Sequence, residues 1–114
     1  MCPPPDDLEL QLAELRKGYA RQLPEKAGRV ESACEAFFAQ PWEEERCMTA
    51  CRSAHSLAGS SGTYGFGELG KVARAVELGI KASLERRSAM TDGELADARG
   101  HLARLKEMAA AAGS

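Results

Sequence analysis

Apolar residues along the chain recur at spacings of three and four rather than two, the period of helices with one buried face. The pattern predicts five helical segments. The first runs from about Asp7 to Gln22, with Leu8, Leu12, Leu15 and Tyr19 on one face and Asp6 and Glu9 as a capping pair. Leu23-Pro24 interrupts it, because proline lacks the N–H that a helix interior uses and is better tolerated at a helix start. The second segment runs from about Pro24 to Ala39 and turns Ala27, Val30, Cys34 and Phe37 inward. Pro41 opens the third, and Glu43, Glu44 and Glu45 put negative charge in its first turn, where the helix dipole favours it. That helix continues to about Gly62 with Cys47, Ala50, Ala54, Leu57 and Ser61 as its core stripe. The fourth covers about Phe66 to Arg86, with Leu69, Val72, Ala73, Val76, Ile80 and Leu84 inward. Thr91 and Glu94 cap the fifth, which runs to about Ala111 and buries Leu95, Ala98, Leu102, Leu105 and Met108.

Short connections force neighbouring helices to run antiparallel, and each has one stripe to bury. The expected fold is all-α: an up-down antiparallel four-helix bundle with an additional N-terminal helix capping or extending one end. The 114 residues make one domain, with 1–6 and 112–114 expected to be flexible. Composition agrees, since alanine and leucine outweigh β-branched residues.

The formal charge of −2, from 15 basic and 17 acidic residues, argues against nucleic-acid binding. No apolar run is long enough to span a membrane, and the first residues lack the pattern of a signal peptide. A cytoplasmic monomer is therefore expected, without membrane attachment. Cys34, Cys47 and Cys51 read as reduced, small apolar residues. Cys47, Cys51 and His55 step by four along one helix, which spreads them over roughly 12 Å, too far for all three to meet one zinc ion. No metal site is expected.

His55 is one of two histidines. The core stripe passes through Ala54, so His55 is turned about 100° from the core centre, onto the border with solvent. Ala58, Gly59 and Gly62 follow it along the helix and leave a shallow depression. Glycine inside a helix costs about 0.5–1 kcal/mol relative to alanine, so two in one turn point to close approach by another surface. Neutral imidazole has a nucleophilic nitrogen that can accept a phosphoryl group and release it again. The chain has no Walker-type phosphate loop that would bind ATP. His101, on the last helix, is read as a surface residue without a role.

His55-Ser56-Leu57-Ala58-Gly59, with Gly65 six residues on and Phe66-Gly67-Glu68-Leu69 opening the next helix, resembles the signature of histidine-containing phosphotransfer (HPt) domains. That pattern is His-x-Leu-Lys-Gly, five residues, then Gly. The resemblance extends to the size and helix order of the whole chain. It implies that His55 is phosphorylated by the aspartate of one receiver domain and passes the group to another. It implies Leu57 as core, Gly59 as the opening for the partner, and Gly65 as the turn into the next helix. The partners it implies are response-regulator receiver domains and a hybrid sensor histidine kinase. No cofactor is expected, with magnesium belonging to the receiver, and no enzymatic turnover. The chain departs from the pattern at Ala58, where the family has lysine beside the phosphorylated ring. Arg52, Lys71 and Arg74 are the candidates to neutralise phosphate in its place. The alternative function is a receiver-binding adaptor that does not carry phosphate.

Overall fold

The computed structural model describes residues 7–40 and 42–114. Four helices follow in chain order: α1 (Asp7–Phe38), α2 (Glu44–Thr63), α3 (Gly67–Arg86) and α4 (Asp92–Gly113). Each packs against two neighbours in the ring α1, α2, α3, α4 and back to α1. The expected cap at Asp6, the expected helix start at Pro41 and the expected flexibility of 1–6 lie outside the described residues. α2 begins at Glu44, with Glu43 in extended conformation as its N-cap.

The additional N-terminal helix is corrected by the structure: the first two expected segments form one helix that runs straight through Pro24. Proline removes the hydrogen bond to the carbonyl four residues back and normally breaks a helix there. Here Tyr19, Leu23, Ala27, Val30, Cys34 and Phe37 make an unbroken buried stripe across the proline. Burial on both sides keeps the helix continuous across the proline, as tertiary packing generally outweighs local propensity. Pro24 itself is exposed. The end of α4 closes over it so tightly that a Cβ at Gly113 would lie 2.8 Å from the proline Cγ and 3.1 Å from the Ala20 carbonyl oxygen.

A continuous α1 of 32 residues is about 48 Å long, whereas 20–22 residues reach only about 30–33 Å. The N-terminal third of α1 therefore overhangs, and the molecule measures 64 × 24 × 19 Å. This overturns the expected burial of Leu8, Leu12 and Leu15, which are 55–60% exposed; of that face only Tyr19 is buried. Tyr19 closes the end of the bundle. Its ring stacks on Tyr64 at 4.5 Å and on Phe66 at 5.9 Å. Its hydroxyl shares hydrogen bonds with Ser60 Oγ (2.6 Å) and Ser61 Oγ (3.1 Å).

The inward stripes expected for α2 are all buried: Cys47, Ala50, Ala54, Leu57 and Ser61. On α3 and α4 the centre of each stripe is buried, while Val72, Leu84, Leu95 and Met108 are half-buried at its edges. The capping box at Thr91 forms in both directions, Glu94 N–H to Thr91 Oγ1 (3.1 Å) and Thr91 N–H to Glu94 Oε1 (2.8 Å). α4 stays helical to Gly113, two residues past the expected end.

Candidate functional site

The α2–α3 pair is the closest-packed in the bundle, and small residues make that possible. A Cβ at Gly70 would sit 3.0 Å from the Ala58 carbonyl oxygen and 3.6 Å from Ser61 Cβ. Further along, the Cys47 thiol donates to the Ile80 carbonyl and the Cys51 thiol to the Glu77 carbonyl, both at 3.7 Å. These contacts fix the register of α3 against α2. They hold the backbone of Glu77 beside Cys51, one turn before His55.

From that anchor the Glu77 side chain reaches His55. Its Oε2 lies 2.7 Å from His55 Nδ1. The two side chains differ sharply in exposure, 70% for His55 and 11% for Glu77. The imidazole stands in solvent while its orienting carboxylate is covered. A carboxylate accepts from Nδ1–H, which leaves the lone pair on Nε2. Arg74 Nη1 approaches the other carboxylate oxygen, Oε1, at 3.6 Å, within ion-pair range but too long for a hydrogen bond. Oε1 is buried with no hydrogen-bond partner. The charge of Glu77 also reaches Cys51: burial raises that thiol's pKa above its ordinary value, Glu77 raises it further, and Lys81 opposes them.

The residues singled out in the sequence fall at distinct places around this pair. Gly59 and Gly62 face open space, with no atom near the position of a Cβ. Ala58 is half-buried against α3. Gly65 adopts φ 85°, the left-handed region that favours glycine, and Phe66 N–H closes the turn onto the Ser61 carbonyl at 2.7 Å. A Cβ there would also lie 2.9 Å from the Arg16 guanidinium, which caps the turn by donating to the Gly65 carbonyl. Of the three basic candidates, Arg74 alone shares the Glu77 carboxylate with His55. Lys71 is paired with Glu68 at 3.0 Å, and Arg52 is exposed on α2 one turn before the histidine.

Glu77 is the site residue that the sequence pattern overlooked. Its signal was an acidic residue at a core position of α3, where Gly70, Ala73, Glu77 and Ile80 repeat at three and four and are all buried. Glu, when buried, is normally paired, so a carboxylate in that stripe calls for a partner on the facing helix. No group of three or more His, Cys, Asp and Glu among the described residues could hold a metal ion. Among the described residues no helix is long and apolar enough to cross a membrane.

The family model for the Hpt domain matches residues 12–114. Comparison with curated proteins and with solved structures gives no match.

Proposed function

The chain belongs to the Hpt domain family, and from that premise we propose that it carries a phosphoryl group on His55 between receiver-domain aspartates of a multistep phosphorelay. The observation that carries this reading is the 2.7 Å contact between Nδ1 of an exposed His55 and the covered carboxylate of Glu77. With Nδ1–H bound to Glu77, the Nε2 lone pair attacks the phosphorus of an aspartyl phosphate. The N–P bond forms as the P–O bond to aspartate breaks, and the aspartate leaves as a free carboxylate. The imidazole ring gains positive charge in this step, and Glu77 offsets it from the opposite nitrogen. A second receiver aspartate reverses the exchange. The chain is a carrier without turnover of its own, and magnesium chemistry belongs to the receiver.

Access follows from the open helix surface at Gly59 and Gly62, where a receiver backbone can approach. Arg74 is the cation best situated to replace the family's lysine, because it already shares the carboxylate that holds the ring. The partners are receiver domains, including one supplied by a hybrid sensor kinase, and the setting is the cytoplasm.

The test is incubation with phosphorylated receivers, following acid-labile, base-stable label. Label on the wild type and none on His55→Gln is the expected result. Receiver binding that survives His55→Ala, with no labelling of the wild type by any receiver, would instead make the protein an adaptor.

A further inference from the structure

The overhanging part of α1 carries Leu8, Leu12 and Leu15, each more than half exposed. They are spaced four and three apart, and Tyr19 follows four later, so the stripe is a heptad seam. It continues the face that α1 buries in its own bundle. Beside it runs a groove of about 680 Å³ lined by Leu15, Gly18, Tyr19 and Tyr64 among others. Gly18 leaves its flank open, with no atom near the position of a Cβ.

We propose that this face pairs two copies of the chain through antiparallel contact of their α1 overhangs. The charge pattern selects that occupant. In Asp7–Gln22 the acidic residues Asp7, Glu9 and Glu14 come first, and the basic residues Arg16, Lys17 and Arg21 come last. Parallel pairing sets like charge against like, whereas antiparallel pairing sets each end against its complement. Centring the pair between Leu12 and Leu15 puts Leu12 of each copy against Leu15 of the other. Glu9 and Arg16 are seven residues apart and lie on the same flank of the seam. In this register Glu9 of each copy comes beside Arg16 of the other, giving two ion pairs about a two-fold axis. Arg16 is already held, by the Gly65 carbonyl at 3.2 Å and the Phe66 ring at 5.6 Å. The other flank carries Gln11 and the open Gly18, so no like charges meet there. This pairing departs from the monomer expected from sequence and is independent of the phosphotransfer reading. An interface of one short helix pair is below the standard size of about 1,600 Å², in the class of weak, reversible association.

Sedimentation equilibrium of the full chain over a range of concentrations tests the pairing. The wild type is expected to dimerise reversibly below millimolar concentration, and Leu12→Glu to remain monomeric with unchanged helical content. Glu9→Arg and Arg16→Glu should each associate at least about fivefold more weakly than wild type, since like charges then meet in both of the symmetry-related pairs. An equimolar mixture of the two should recover wild-type association, because both pairs then join opposite charges, one as in the wild type and one with reversed sign. A wild type that stays monomeric at millimolar concentration overturns the proposal. So does a mixture no tighter than its components. If Leu12→Glu loses phosphoryl acceptance while the wild type shows no self-association, the face is a receiver contact and the proposal fails.

Discussion

Glu77→Gln keeps the size of the side chain and an acceptor for His55 Nδ1, but removes the charge that faces the ring. The charge-assisted hydrogen bond to neutral His55 is present before transfer as well as during it, so the rate senses only the attraction that grows as the ring becomes cationic. Unit charges 4 Å apart interact by about 1 kcal/mol in water and about 4 at the effective dielectric of a protein surface. His55 is 70% exposed and Glu77 11%, so the pair lies between these limits. That gives about 2 kcal/mol if the ring is fully cationic in the transition state, and about 1 if it is half-developed. Transfer from a phosphorylated receiver should slow about five- to thirtyfold. The fold should not suffer, because the buried Oε1 has no hydrogen-bond partner to lose and a charge is removed from a covered site. Rapid-quench single-turnover transfer reports the rate, and urea unfolding the stability. A rate within twofold of wild type in a folded variant would refute the role given to Glu77.

The glycines separate packing from access. Gly70→Ala should cost about 1–2 kcal/mol in urea unfolding, because its Cβ meets the Ala58 carbonyl at 3.0 Å. Gly59→Ala should gain about 0.5–1 kcal/mol of stability and yet slow transfer if the open surface admits the receiver. At the start of α4, hydrogen bonds from Arg86 and then Thr91 hold the Glu94 carboxyl down to about 2, from an ordinary 4.5. A lowered pKa contributes stability above 4.5 that is lost as pH falls toward 2. The melting temperature of wild type should therefore fall more steeply over that window than that of Arg86→Ala. Burial pushes the Cys34 thiol up to about 12 and Cys47 to about 11, from 9.0. The folded thiols keep protons that the unfolded chain releases, so this stability is complete below pH 9 and declines as pH rises toward 11–12. Peptide mapping after thiol labelling at pH 8 should find Cys34 and Cys47 modified only as fast as the bundle opens.

Much of the bundle was legible because local rules and tertiary packing agree there. The stripe from Cys47 to Ser61 and the Thr91 capping box needed only helical spacing and cap chemistry. Pro24 misled because its local penalty is real, and what outweighs it is a burial stripe spanning both sides of the proline. Leu8, Leu12 and Leu15 follow a correct helical period, but period alone does not say whether anything covers the face. His55 was visible through its small neighbours and motif. Glu77 was not, because its role depends on the register between α2 and α3, which Gly70 and the two cysteine thiols set across the interface.

The central claim is that His55 accepts phosphate at Nε2 while Glu77 holds Nδ1. Nitrogen-15 NMR of the imidazole, before and after transfer from a phosphorylated receiver, addresses it directly. The free protein should show the proton on Nδ1, and the phosphorylated protein should show phosphorus coupling to Nε2. Phosphorus on Nδ1, or label that persists in His55→Gln, would contradict it.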